Sequence, residues 1–267
     1  MTFARVACLY DVHGNLPALE AVLGEARRAG VDLVVVGGDV MPGPMSRECL
    51  DRLLNLDLPV RFIHGNCELA VLALRESMRT GAPVSYWGTT SGRPLQSPHR
   101  EPMEWAARQL TSEHERAIAG WPRTERIEVA GLGTVLFCHG TPRSETEVFS
   151  KQTAEQKLKP VLDGLGASVA VCGHTHMPFD RMVGATRVVN AGSVGAPFGA
   201  PGAYWLLLGP GVEPRRTDYD LAAAAEAFRS TTDPGAAESA KELLQPPAEA
   251  DMLALYATAE LSESRAS

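Results

Sequence analysis

The sequence predicts an α/β fold built on a largely parallel sheet, and two observations carry this prediction. In the first third of the chain, apolar runs typical of buried strands alternate with helical patterns, in the order strand, helix, strand, helix, strand. This alternation is the signature of βαβ units. Each apolar run is also followed at once by polar residues, and ligands of such sheets gather at the carboxyl ends of the strands.

The individual elements follow from the spacing of apolar residues. The first third should contain strands at 5–10, 33–36 and 60–63, and helices at 17–29 and 48–54. Strand-like runs return at 126–129, 133–138, 168–172, 181–183, 187–189 and 203–208.

The stretch 69–122 differs in character and is predicted to be an insertion or cap over the edge of the sheet. It should hold a helix at 68–78, a loop rich in Gly, Pro, Ser and Thr at 81–100, and one helix at 103–119. His114 lies among charged residues in that last helix, so we expect it to be solvated.

The chain as a whole divides into a main domain, 1–220, which contains this insertion, and a helical C-terminal extension, 221–267. The extension is rich in Ala and Glu with Pro interruptions, which predicts short helices. We expect these helices to pack on the core or to join chains into a homo-oligomer.

Composition excludes several classes of protein. The 45% apolar and 21% charged residues are ordinary for a globular chain. A formal net charge of -7 argues against binding nucleic acid beyond nucleotides, since duplex binding depends on neutralising phosphates. No run is apolar enough to span a bilayer, so no membrane partner is expected. Five scattered cysteines predict reduced thiols and a cytoplasmic location.

Five short segments, each after a predicted strand, hold the groups that bind transition metals. They are Asp11-Val12-His13, Gly38-Asp39, Gly65-Asn66, Cys138-His139-Gly140 and Gly173-His174-Thr175-His176. Carboxylates mixed with imidazoles suit Mn, Fe, Zn, Co or Ni better than Ca or Mg alone. One Asp that can bridge, among six other ligands, suits two ions ~3.5–4 Å apart.

The order D-x-H, G-D, G-N, H-G, G-H-x-H resembles the calcineurin-like metallophosphoesterase family, from residue 8 to about residue 195. The resemblance implies a four-layer αββα sandwich carrying a helical and loop insertion, with a metal pair at its rim. It also implies hydrolysis of phosphate esters by a metal-bridging hydroxide, without a covalent protein intermediate.

The resemblance also implies a ligand set. One metal would be held by Asp11, His13, Asp39 and His176, and the other by Asp39, Asn66, His139 and His174. Two divalent ions are therefore expected, with Mn²⁺ first and Fe, Zn, Ni or Co as alternatives. Asp39, Asn66 and His139, together with Cys67, are the expected catalytic residues.

Cys67 is where the sequence departs from the family pattern, in which a His follows G-N. A Cys at this place resembles the small bacterial and archaeal phosphodiesterase branch, as does the glycine-rich turn at 190–195. The thiol is either a passive replacement or a redox-sensitive group. We favour the passive role. Glu68 is expected to begin the next helix, whose positive end suits a carboxylate.

Four further residues are candidates for binding substrate. Arg93 and His99 lie in the Gly/Pro-rich loop together with Trp87 and Arg100, which offer stacking and positive charge. Arg143 follows His139 and offers a guanidinium for a phosphate. Ser193 lies in the glycine-rich turn, whose backbone N–H groups suit an anion.

The leading function is that of a metal-dependent phosphodiesterase acting on small diesters. A phosphomonoesterase or a dinucleoside-polyphosphate hydrolase uses the same kind of site and is the alternative. A non-catalytic scaffold is a third possibility, because fold alone does not determine function. All seven ligand positions are retained, which argues against the scaffold.

Overall fold

The computed structural model describes residues 1–261, and in them two sheets pack face to face with helices on both outer sides. One sheet has six strands in the order β1-β5-β6-β7-β9-β8, and the other has five in the order β11-β10-β2-β3-β4. The strands are β1 Thr2–Phe3, β2 Val6–Leu9, β3 Leu33–Val36, β4 Val60–Phe62, β5 Thr124–Val129, β6 Gly133–Cys138, β7 Val169–Cys172, β8 Phe179–Val183, β9 Thr186–Asn190, β10 Ala203–Leu208 and β11 Val212–Thr217.

The helices connect these strands and cover the sheets. They are α1 Leu16–Arg28, α2 Ser46–Leu54, α3 Asn66–Thr80, α4 Arg100–Gln109, α5 Ser112–Ala119, α6 Glu155–Leu162, α7 Leu221–Arg229, α8 Ala236–Leu244 and α9 Glu249–Ala257. In the part of the chain that the structure describes, no helix combines the length and apolarity that crossing a membrane requires.

The alternation of side chains along the strands produces the layers. In β2, Val6 and Cys8 point into the core between the two sheets, whereas Ala7 and Leu9 face the helices. The core between the sheets includes Tyr10 of one sheet and Phe137 of the other. The predicted four-layer αββα sandwich is therefore confirmed.

The two outer layers differ in size. Helices α1 to α5 cover the five-stranded sheet, whereas α6 covers the six-stranded sheet through Leu158 and Leu162. Helices α7 and α8 pack on each other through Phe228 and Leu243. Residues 262–267, the end of the predicted C-terminal extension, lie outside the described residues.

Parallel pairing brings the functional loops together. Strand β3 pairs in parallel with both β2 and β4, and β7 pairs in parallel with both β6 and β9. The segments that follow β2, β3, β4, β6 and β7 consequently meet at one rim of the sandwich.

The prediction of one helix at 103–119 is wrong, and so is the expectation that His114 is solvated. The chain leaves the helical conformation at Leu110, and Thr111 caps a new helix by accepting a hydrogen bond from the His114 N–H. The His114 side chain turns inward, is 4% exposed and hydrogen-bonds Asp51 at 2.7 Å.

Candidate metal centre

Left-handed backbone conformations mark the predicted ligands. Among residues 1–261, six non-glycine residues have a positive φ, and all but Leu261 are predicted metal ligands. The ligands are Asp11 at 54°, His13 at 44°, Asp39 at 53°, His174 at 66° and His176 at 57°. Such conformations are costly for residues with a side chain and cluster at functional sites. The backbone thus points to these five residues without reference to any motif.

Hydrogen bonds between the loops hold these strained segments in place. The Asp11 N–H donates to the Gly38 carbonyl at 3.1 Å, and the His13 N–H donates to the Asp39 carbonyl at 3.0 Å. The His174 N–H donates to Asp11 Oδ2 at 2.9 Å, which joins the two sheets. A Cβ on Gly173 would lie 2.5 Å from that same oxygen, so this close approach requires glycine.

A first group of ligand atoms consists of Asp11, His13 and His176. The His176 Nε2 lies 3.3 Å from Asp11 Oδ1 and 3.1 Å from the His13 Nε2. The His13 Nε2 also lies 3.9 Å from Asp11 Oδ1. These distances leave the three donor atoms around one point, as a single cation requires.

A second group consists of Asp39, His139 and His174, whose ligand atoms all lie within 4.8 Å of one another. The Asn66 Oδ1 lies beside it, 3.1 Å from the His139 Nε2. Asp39 Oδ2 is 3.4 Å from the His139 Nε2 and 4.0 Å from the His13 Nε2. Asp39 therefore lies between the two groups, in the position that a bridging ligand requires.

Hydrogen bonds to backbone carbonyls orient the predicted ligands. The Nδ1 atoms of His13, His139 and His176 face the backbone carbonyls of Pro42, Gly37 and Ala196, at 3.3, 2.9 and 2.6 Å. Their Nε2 atoms are thereby directed into the site. Asn66 is oriented in the same way, because its amide nitrogen donates to the Gly88 carbonyl at 2.9 Å.

Unpaired buried atoms also indicate that these residues fit a divalent metal ion, in addition to the residue types themselves. Asp11 Oδ1 and the His174 Nε2 are both buried and have no hydrogen-bond partner among residues 1–261. A buried polar atom without a partner is costly, and a coordinated cation would satisfy both atoms.

The electrostatics of the centre are those of a site built for positive charge. Burial acts to raise the pKa of Asp39, but His139 outweighs it and brings the pKa well below its usual range. Burial acts to lower the pKa of His139, yet Asp39 and Asp11 raise it to about 10. Burial, together with His139, lowers the pKa of His174 to about 4. The carboxylates of Asp11 and Asp39 thus stabilise positive charge in the centre, whereas burial keeps the His174 imidazole neutral.

Glu68 has a part in the site that the sequence did not reveal. Its carboxylate is fully buried and accepts hydrogen bonds from the N–H groups of Gly65, Asp39 and Val40, at 2.8, 2.8 and 2.7 Å. It starts α3, as expected, but it also ties the loop after β4 to the loop that carries Asp39. Burial, together with Asp39, raises the pKa of Glu68 to about 7.

Cys67 lies at the mouth of the centre. Its backbone N–H donates to Asp39 Oδ1 at 2.9 Å, and its side chain borders the adjoining cavity. Burial, together with Asp39, raises the pKa of the Cys67 thiol well above its ordinary value.

The four candidate substrate-binding residues lie in different surroundings. His99 borders the cavity, whereas Arg93 is exposed in its loop and outside the cavity wall. Arg143 pairs with Glu147 at 2.7 Å, also outside the wall. Ser193 is fully buried, and its hydroxyl donates to the Asp11 carbonyl at 2.7 Å, so the hydroxyl supports the metal-site loop from within.

The adjoining cavity has a volume of about 400 Å³. The metal centre contributes His13, Asn66 and His176 to its wall. The loop and helix α4 of the predicted insertion form a second side, and α7, α8 and the segment up to Pro247 form a third. A small organic group attached to a phosphate at the metals fits this space.

Comparison with known families agrees with this geometry. The model of the calcineurin-like phosphoesterase superfamily domain matches residues 4–208, which includes all seven predicted ligands. The chain belongs to the calcineurin-like phosphoesterase superfamily. It is accordingly a metal-dependent phosphoesterase, and the structure contains two groups of residues that could each hold a divalent metal ion.

Three individual proteins resemble the chain over most of its length. The uncharacterized protein MJ0912 of Methanocaldococcus jannaschii is 22% identical over 197 residues, 73% of this chain and 71% of that one. A metallophosphoesterase from Sphaerobacter thermophilus is 24% identical, with a TM-score of 0.66 over 91% of this chain and 99% of that one. The hypothetical protein PH1004 from Pyrococcus horikoshii is 18% identical, with a TM-score of 0.72 over 91% and 98%. These structures share the fold.

Proposed function

We propose that this superfamily member is a binuclear phosphodiesterase that hydrolyses small phosphodiesters, with Mn²⁺ as the expected metal. The observation that carries the proposal is the position of Asp39 between two separate ligand groups. One group alone would hold one ion, whereas a shared carboxylate between two groups suits a pair.

The residues of the chain have distinct parts in this proposal. Asp11, His13 and His176 would hold one ion, and His139, His174 and Asn66 the other, with Asp39 shared. Bound ions would supply Lewis acidity and an activated water. Asn66 lies at the border between the second ligand group and the cavity, so the ion it helps to hold would face the substrate.

Cys67 supports a preference for esters with good leaving groups. A thiol is a weaker hydrogen-bond donor than an imidazole, so it assists departure of the alcohol less. Replacing Cys67 with His should raise hydrolysis of alkyl esters and change that of nitrophenyl esters little. An equal change for both ester classes would contradict this role.

A substrate and metal screen tests the proposal. The purified chain, loaded with Mn²⁺, is assayed on phosphomonoesters, bis(4-nitrophenyl) phosphate, cyclic nucleotides and dinucleoside polyphosphates. We expect the highest kcat/KM for a diester, loss of this activity in Asp39→Asn, and full activity in Asp57→Asn, which alters an exposed carboxylate paired with Arg27. Highest activity on a monoester or a polyphosphate would favour the alternative enzymes, and absence of metal and activity would favour the scaffold.

A further inference from the structure

The wall of the cavity beside the metal centre is largely apolar. Its large apolar side chains are Trp87, Leu95, Met103, Phe198, Phe228 and Leu243. Phe198 lies directly beside the candidate metal centre, since its ring stacks on His176 with centroids 5.0 Å apart. An organic group bound here would therefore leave water for an apolar surface next to the reacting phosphate.

Apart from the histidines, the ionisable side chains on this wall with a full charge are acidic. Asp233 and Glu242 border the cavity, and no lysine or arginine does among residues 1–261. Asp233 is only 6% exposed, and its Oδ2 has no hydrogen-bond partner in the same residues. Arg100, whose guanidinium lies over Trp87, pairs with Glu104 at 2.7 Å. A second anionic group on the substrate would find two carboxylates and no guanidinium or ammonium partner on the wall.

The C-terminal segment supplies this side of the cavity and is anchored to the core. Asp233 and Glu242 both belong to it, as do Phe228 and Leu243. The Gly199 N–H donates to the Pro247 carbonyl at 2.9 Å, which fixes the segment beside the loop that carries Phe198. The carboxylates are thus held near the metal centre by the fold.

We propose that this cavity binds the uncharged, apolar organic group of a phosphodiester and rejects an ester group that carries a further negative charge. The inference rests on the proposed phosphodiesterase function and narrows its substrate class. It excludes dinucleoside polyphosphates as good substrates. Like charges repel, more strongly beside the buried Asp233 than in open water, and burying an unpaired anion adds a desolvation cost.

Two diesters that differ in charge test the pocket. The Mn²⁺-loaded chain is assayed on bis(4-nitrophenyl) phosphate and on bis(3-carboxy-4-nitrophenyl) phosphate, each kcat/KM being divided by the rate of hydroxide-catalysed hydrolysis. Because both ester groups of the second compound are charged, either orientation places a carboxylate in the cavity. We expect the diester whose ester groups are uncharged to be preferred by about tenfold or more.

Substitutions of the two carboxylates test whether the cavity wall causes this substrate preference. Glu242→Gln and, separately, Asp233→Asn should each reduce the preference about threefold or more, because each removes one negative charge. Glu238→Gln is the matched control, since Glu238 lies on the same helix, pairs with Lys241 and is not part of the cavity wall. It should leave the preference unchanged, and melting temperatures identify any variant that fails to fold.

Three outcomes are distinguishable. Equal hydrolysis of the two diesters, or a preference that survives both variants, would overturn the pocket assignment while leaving the phosphodiesterase intact. If neither diester is hydrolysed, the proposed function is overturned, and the pocket assignment with it.

Discussion

At the scale of single residues, the gathering of the predicted ligands at one rim was predictable, because few residue types bind transition metals. These carboxylate, amide and imidazole groups lie in the segments that follow the strands. Five of them also have a left-handed φ, which is costly and is typical of functional sites. Glu68 was not predictable as a site residue. A glutamate at the start of a helix is common, and only the tertiary fold brings Asp39 and Val40 within its reach.

His139 provides a residue-scale prediction about metal binding. His139→Ala should reduce the Mn content by about one ion per chain, because the second ligand group loses one of its imidazoles. Diester hydrolysis should fall at least about 100-fold. Metal analysis by plasma mass spectrometry measures the first effect. His114→Gln is the control, since His114 lies in α5 and belongs to neither ligand group. Unchanged metal content in His139→Ala would contradict the ligand assignment.

Glu68 provides a prediction about stability. Glu68→Gln should lower the free energy of unfolding by about 2 kcal/mol, because an amide cannot accept on both sides from three backbone N–H groups. Urea denaturation of the metal-free protein measures it. Glu48→Gln is the control, since Glu48 also lies in the first turn of a helix but is exposed. Equal effects of the two substitutions would show that Glu68 acts as an ordinary helix-start residue.

At the scale of elements, strands with buried apolar runs were predicted well and those with mixed surroundings were not. Strand β11 lies at the edge of its sheet and contains Pro214 and three charged residues, so it lacks an apolar run. Helix α6 contains Pro160, which argues against a helix in the sequence. The break between α4 and α5 depends on the capping contact of Thr111, which a continuous helical pattern conceals.

Helix α9 gives an element-scale prediction. Tyr256 packs against Phe198 with centroids 6.4 Å apart, and Phe198 stacks on the predicted metal ligand His176. Tyr256→Ala should weaken binding of one ion about tenfold, since groups that support a ligand affect affinity on that scale. A chelator competition titration measures this affinity. Leu255→Ala alters an exposed neighbour on the same helix and should have no effect. Unchanged affinity in Tyr256→Ala would remove α9 from the metal site.

At the scale of the whole molecule, the candidate metal centre draws its residues from both sheets. Asp11 and Asp39 follow strands of the five-stranded sheet, whereas His139 and His174 follow strands of the six-stranded sheet. The parallel pairing of β2, β3 and β4 was accessible from the sequence. The cavity was not, because its wall combines the insertion with the C-terminal helices, which no local pattern places together.

Metal loading should therefore stabilise the whole fold. An ion at about 100 times its dissociation constant contributes about 2.7 kcal/mol, so we expect Mn²⁺ to raise the melting temperature by about 5 °C or more. Differential scanning calorimetry of metal-free and Mn²⁺-loaded protein measures it. The shift should shrink in Asp39→Asn. An identical melting temperature with and without metal would mean that the ions do not join the sheets.

The central claim is that two ions share Asp39 in this phosphoesterase, and metal stoichiometry measured alongside diester hydrolysis tests it most directly. Mn²⁺ is titrated into metal-free protein while bound metal and the hydrolysis of bis(4-nitrophenyl) phosphate are recorded together. The account predicts two ions per chain, with activity following occupancy of the second. Saturation at one ion or fewer, or full activity with one ion bound, would contradict it.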